Sequence, residues 1–488
     1  MAADAQEKQV PNLTTVTDRG EAEALIRDDP QYVVFLLLAL SAEVLRLRRG
    51  SEESGSGPSA PSSATPTYRK ETTQSGRKGR SKRGAKKGHR GKNRPKPPRV
   101  DRTEEHRSER CPDCGGEVNR CNPESSRRTR TIEDIPQDTQ SEVVKHVIEG
   151  AYCPTCKKVV EPKVADALPG SRLGHRVLAL ASWLRFGLGL SLSQIREVLN
   201  AHLRFKISDG GIVKSGHRIA DIFKPWYEEI GRQVKESGVL NADETGWRVL
   251  GKTHWLWCFC SKLAEATYYM IDQSRGSPAL TKFFTDAVSG ILVTDFWAAY
   301  NAVDCGGRQM CFPHLFRELD ATSEKDSSEQ WRAFVKKLRR LLRDALRLRT
   351  AEGLTDNEYR SRRNRLDCRL AALIDHVDTS RSSSTNTNVK RIVKRLRHFR
   401  EHMFTFLDHD HVPADNNHAE REIRPAVIMR KNTHCNQSDR GAETQAVLMT
   451  IFRTLKRRGL EPLDEVVKAL RTYSITGKLP PLPSPLPH

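Results

Sequence analysis

The sequence predicts a multidomain chain with an α/β domain at its centre, and three observations carry that expectation. From Gly238 onward, three β-rich runs with short breaks give way to alternating helical and strand-like stretches. Ahead of them stand two Cys-x-x-Cys knuckles, and between knuckles and strands lies a region of helical periodicity. At 488 residues the chain also exceeds what one ordinary core can organise.

Composition narrows the partners. The chain has 82 Lys and Arg against 61 Asp and Glu, a formal net charge of +21. Such a surplus favours polyanions, with nucleic acid the first expectation. A ribosome-surface or membrane-surface protein, or a soluble chain with a basic tail, is the plainer alternative. The N-terminus MAADAQEKQV is polar and lacks the apolar core of a signal peptide. The longest apolar stretch, Val33 to Leu40, falls well short of the roughly 18–20 residues that a membrane span requires. The expected setting is cytoplasmic and nucleoid-associated, where reduced cysteine pairs suggest a metal before a disulfide.

Residues 1–50 read as a helical segment, with Leu37, Leu40, Val44 and Leu47 forming a short heptad seam. Residues 51–100 turn first Ser-, Gly- and Pro-rich and then strongly basic. So little apolar content cannot offset chain entropy, which predicts a disordered linker making loose phosphate contacts. Residues 101–165 carry Cys111 and Cys114 in CPDCGGEV, then Cys153 and Cys156 in YCPTCKK. Two thiolates from each knuckle supply four soft ligands, which suits a closed, tetrahedral, structural Zn²⁺ site. Gly115 and Gly116 allow the tight turn that brings backbone amides toward sulfur, and Cys121 reads as a bystander. A redox dithiol, the rival, needs one knuckle at a helix start.

Residues 166–235 are expected to be helical. Ser191 with Gln194 forms a capping box ahead of Ile195, Val198 and Leu199, and a second start falls at Ser208 before Ile212, Val213 and Ile219. Two short helices joined by a turn suggest a helix-turn-helix DNA reader, although plain bundles share the pattern.

Residues 236–320 hold the expected chemistry. GVLNADETGWRV, THWLWCFCS and EATYYMID read as a meander, followed by a helix, the apolar strand GILVTDFWAAYN, a helix and the short strand RQMCFPH. That order suggests a ribonuclease-H-like α/β domain. Asp243 falls in the first strand and Asp295 at the end of the fourth, expected neighbours. Two buried aspartates repel unless cations hold them, and hard oxygen ligands suit Mg²⁺. Glu244 would face the other way, and Asp272 is the main decoy.

A basic helical insertion spans 321–408, and residues 409–460 return to the catalytic domain through VPADNNHAEREIRPAVIMRKN. Asn417, Glu420, Arg421 and Arg424 share one helical face, while Glu422 points elsewhere. A carboxylate beside an amide and two guanidinium groups on one face is hard to explain as solvent decoration; an exposed helix stitched by i,i+4 ion pairs is the plainer alternative. A C-terminal helix and Pro-rich tail occupy 461–488.

Together, DETGWRV, GILVTDFWAAYN, CFPHLFREL and NNHAEREIRPAVIMRKN resemble the catalytic domain of insertion sequence 66 family transposases. The likeness extends from about residue 90 to 460, including the cysteine module and the basic glycine motif GHRGKNRP. The short N-terminal helix departs from the family pattern. The resemblance implies an acidic triad of Asp243, Asp295 and Glu420, with His314 and Arg317 matching a pattern of unassigned role. It implies DNA cleavage and strand transfer by two Mg²⁺ ions (or Mn²⁺) held roughly 4 Å apart. Arg421, Arg424 and Lys431 would hold phosphates. Element ends and target would be double-stranded DNA, bound by a homo-oligomer with or without accessory proteins. A tyrosine- or serine-type recombinase and an inactive, transposase-derived DNA-binding protein are the competing readings; nothing clusters around Tyr300 for the former.

Overall fold

The computed structural model describes residues 100, 103, 114–117, 141–149, 151–155, 157–379 and 386–486. The expected N-terminal helix, nearly all of the basic linker, and Cys111, Cys121 and Cys156 lie outside the described residues.

A small antiparallel hairpin pairs β1 (Ala151–Cys153) with β2 (Lys158–Val160), and Cys153 stands opposite Lys158. Cys153 thus ends a strand where the second knuckle turns. Gly115, directly after Cys114, adopts φ +73°, the left-handed backbone that a tight knuckle turn requires.

Helices follow: α1 (His175–Ser182), a π-helical turn at Trp183–Gly187, α2 (Leu192–Leu203) and α3 (Asp209–Lys235). The capping box at α2 forms. Ser191 Oγ accepts from the Gln194 amide at 3.3 Å, and Gln194 Oε1 accepts from the Ser191 amide at 2.9 Å. Ser208 caps α3 through the Gly211 amide at 3.2 Å. Only the first helix of the pair is short, however: α3 runs for 27 residues, through Pro225. Its stripe of Ile219, Phe223, Trp226, Ile230 and Val234 continues the 3.6-residue period into the main core. That burial sustains a helix which its first turns alone would leave as a short reader helix.

The central sheet has five strands in the order β5–β4–β3–β6–β7. They are β3 (Val239–Val249), β4 (Lys252–Ser261), β5 (Ala266–Asp272), β6 (Val288–Thr294) and β7 (Cys305–Met310). The first three form the antiparallel meander, and β6 and β7 add in parallel beside β3. α4 (Ser277–Phe283) connects β5 to β6 as expected. The helix expected between β6 and β7 is instead a 3₁₀ stretch at Ala298–Ala302. Residues 295–304 are too few for the crossover helix of about a dozen residues or more that parallel strands usually need.

One face of the sheet buries Leu240, Ala242, Trp257 and Phe259 against α3, α4 and two C-terminal helices, α11 (Asp439–Arg457) and α12 (Pro462–Thr476). The other buries Trp247, Val249, Leu256 and Cys258 under α10 (Asn417–Thr433), through Ala419, Ile423, Ala426 and Met429. Val293 and Met310 join a third core with α5 (Phe312–Lys325) and the inserted helices α6 (Glu329–Arg349), α7 (Asp356–Thr379), α8 (Thr387–His398) and α9 (Thr405–Asp408). No helix among the described residues is long and apolar enough to cross a membrane.

Candidate active site

Strand register places the first two acids. β3 and β6 pair in parallel up to Asn241 and Val293. Two residues further along the chain stand Asp243, still within β3, and Asp295, one residue past the end of β6; alternation in the two paired strands directs both toward one face. Both are buried, at 4 and 5% exposure. Asp243 Oδ1 accepts from the Glu244 amide at 2.9 Å, whereas its Oδ2 has no hydrogen-bond partner. Asp295 Oδ1 is oriented by the Trp297 amide at 2.9 Å.

Electrostatics follow from that crowding. Burial foremost, then the carboxylates of Glu244, Asp295 and Glu420, push Asp243 well above the usual carboxylate range. Burial, with Glu244 adding to it, pushes Asp295 up to about 7, against the opposing pull of the Trp297 amide and of Arg275 and Arg395.

The neighbouring acids are otherwise engaged. Glu244 faces the opposite side of the sheet, fully buried, where Tyr300 donates to it at 2.6 Å and Arg275 at 3.2 Å. The Arg275 guanidinium lies between Trp255 and Trp297, 4.6 and 4.2 Å from their ring centroids. Asp272 accepts from Lys282 and from the Ser274 amide. Both carboxyls are thus already engaged by neighbouring donors, Glu244 on the face expected from strand alternation.

Glu420, the third acid expected, lies on α10, which is fixed to β3 at both ends. Asn416, preceding the helix, is 1% exposed; its Oδ1 accepts from Asn241 at 2.9 Å and its Nδ2 donates to the Ala242 carbonyl at 2.7 Å. Near the other end, Arg430 donates to Thr245 Oγ1 at 3.1 Å and to the Gly246 carbonyl. These anchors flank Asp243 in sequence and set α10 over it. Asn416 carries no local signal, because its partners lie more than 170 residues away.

On α10, Glu420 and Glu422 have opposite fates. Glu422 is buried and accepts from Arg453, Arg457 and Thr267, which hold it below the usual carboxylate range despite burial. Glu420 is only partly covered and accepts from Arg317 at 2.7 Å, with His314 Nε2 at 3.8 Å. Burial first and then the Arg317 charge lower His314 to about 4, and neither ring nitrogen has a hydrogen-bond partner. Arg421, Arg424 and Lys431 are exposed on the same helix.

Among the described residues, no three His, Cys, Asp or Glu side chains already converge as a metal-holding group. Glu420 is engaged with Arg317 instead of joining the aspartates. The paired aspartates nevertheless fit a hard cation: oxygen donors only, mutually repelling, with a buried carboxylate oxygen of Asp243 unpartnered.

Comparison with known proteins adds an independent finding. The family profile described as "Transposase IS66 family" matches residues 170–444. The chain is 26% identical over 333 residues to "Uncharacterized protein y4qI" of Sinorhizobium fredii, covering 63% of this chain and 57% of that protein. It is 23% identical over 411 residues to "Uncharacterized protein y4hP" of the same organism, covering 75% of this chain and 71% of that one.

Proposed function

The chain belongs to the IS66 family of transposases, and on that premise we propose that it cleaves and transfers DNA strands at a metal-dependent site built from Asp243, Asp295 and Glu420. The observation that carries the reading is the buried aspartate pair, with an unpartnered oxygen on Asp243. A fold has little reason to bury two adjacent carboxylates unless a ligand compensates them. The sheet order, with an antiparallel meander flanked by two parallel strands, supports a ribonuclease-H-like domain.

Asp243 and Asp295 would hold Mg²⁺, or Mn²⁺, as ionised carboxylates, and Glu420 would join them on release from Arg317. A divalent metal bound there supplies Lewis-acid activation of water or a DNA 3′-hydroxyl and stabilises the leaving oxygen. The protein's own groups orient and exclude. The Trp297 amide fixes one oxygen of Asp295, Asn416 holds α10 against β3, and Arg275 with Tyr300 keeps the Glu244 carboxyl engaged on the far face. Exposed Arg421, Arg424 and Lys431 would grip phosphates of double-stranded element ends and target DNA. Cys111, Cys114, Cys153 and Cys156 would hold a structural Zn²⁺ in a separate module. Pairing two element ends calls for at least a dimer.

The test is a Mg²⁺-dependent cleavage and strand-transfer assay on DNA carrying the element ends. Asp243→Asn should abolish both reactions while end binding persists. Strand transfer at the parent rate by this variant would sink the assignment.

A further inference from the structure

The solvent face of α6 carries Arg332, Lys336, Arg340, Arg343 and Arg347, at spacings of four, four, three and four residues. At 3.6 residues per turn these five lie within about 80° of arc and run along roughly 22 Å of helix. All five are exposed. The opposite face is the buried stripe of Trp331, Leu338, Leu342 and Ala345, so the register of the basic stripe is fixed by the core.

Neutralisation on this helix is selective. Arg339 and Arg349, turned toward the packed side, pair with Asp320 and Asp410. On the neighbouring α7, Arg363 and Arg369 pair with Asp367, Asp408 and Asp344. Along the stripe, the sole ion pair among the described residues is Arg347 with Asp344 at 3.5 Å, on a side chain 78% exposed. Like charges at i,i+4 oppose one another by about 0.2–0.5 kcal/mol per pair. Alternating acids would have relieved that cost without disturbing the buried face.

We propose that this stripe is a docking surface for the phosphate backbone of duplex DNA. A single row of cations one helical turn apart matches a polyanion with regularly spaced charges, and it asks for no base contact. Its place in the chain connects it to chemistry: α5, whose Arg317 holds Glu420, leads into α6 after residues 326–328. This inference rests on the transposase reading and assigns to the insertion the work of holding DNA beyond the acids.

The experiment measures duplex DNA binding by the full chain against salt concentration. The parent is compared with a variant in which Arg332, Lys336, Arg340, Arg343 and Arg347 are all replaced by Gln. A second variant carries Gln at exposed Arg360, Arg362 and Arg365 of α7. Each phosphate contact contributes about 0.9 to the salt slope, so the α6 variant, lacking five, should be shallower by about 4.5 and bind at least tenfold more weakly at about 0.1 M salt. The α7 variant should stay within about one unit of the parent. Removing like-charge repulsion should leave the α6 variant at least as stable, which a thermal melt verifies. An unchanged slope in the α6 variant, or an equal loss per charge in the α7 variant, overturns the stripe while leaving the transposase reading intact. The same titration with duplex RNA of equal length serves as a comparison, and a loss seen with the RNA but not with the DNA also overturns it. Failure of the parent to bind any DNA overturns both readings together.

Discussion

Asp243 and Asp295 are held more readily as neutral acids in the folded chain than in the unfolded one, and that difference is measurable. A carboxyl whose folded proton affinity is raised contributes stability fully below its unfolded pKa of about 4. The contribution is lost as pH rises through the folded value, about 7 for Asp295. The metal-free Asp295→Asn variant should therefore gain thermal stability relative to its parent as pH rises from 5 to 8. Millimolar Mg²⁺ at the upper pH should stabilise the parent more than the variant. A parent–variant difference that stays flat with pH would contradict the crowding argument. The two glutamates of α10 give a second residue-scale contrast. Glu422→Gln weakens buried contacts to Arg453 and Arg457, which retain some solvent. It should cost about 2–3 kcal/mol in chemical denaturation, below the 3–5 of a fully buried pair. Glu420→Gln loses a contact to the half-exposed Arg317 and should cost under about 1 kcal/mol, yet end strand cleavage. Equal stability losses in the two variants would mean that both acids are structural.

At the scale of elements, α10 is the part whose placement matters most, and Asn416 is its anchor. Asn416→Ala leaves the Asn241 amide and the Ala242 carbonyl without their buried partner. The expected loss is about 2–4 kcal/mol, with cleavage falling further than DNA binding because Glu420 rides on the displaced helix. Binding and cleavage falling in proportion would argue that Asn416 only stabilises the fold. The elements also show why some features could be read from sequence and others not. The strands of the meander were legible from alternation and β-branched and aromatic content, and the cap of α2 from Ser191 and Gln194, because both signals are local. The reach of α3 was not, since its length depends on burial against β5 and α11. Neither was the 3₁₀ crossover, where the buried Tyr300 hydroxyl reaches Glu244 across 56 residues. In the candidate site, the strand position of each aspartate was legible, whereas the Arg317 contact to Glu420 and the anchoring by Asn416 exist only in three dimensions.

At the scale of the whole molecule, the cysteine module and the acid-bearing domain are expected to behave as separable units. The family match begins at residue 170, after the second knuckle. The strand bearing Cys153 is three residues long, with Ala151 and Tyr152 exposed, whereas the acids sit on a five-stranded sheet covered by helices on both faces. A two-stranded pairing of only three residues is marginal on its own, so a tetrahedral metal would supply the missing free energy there. The sheet domain has its own cores and should not need it. Purified full-length protein should accordingly contain one Zn²⁺ per chain by elemental analysis. Cys114→Ser or Cys153→Ser should lower that content, and chelation should remove it. The main thermal transition should shift little in those variants, because it reports the sheet, while specific binding of element ends weakens. A parent chain purified without zinc would remove the four-cysteine site. Collapse of the main transition on chelation would instead show that the metal stabilises the sheet domain, and that the two units fold as one.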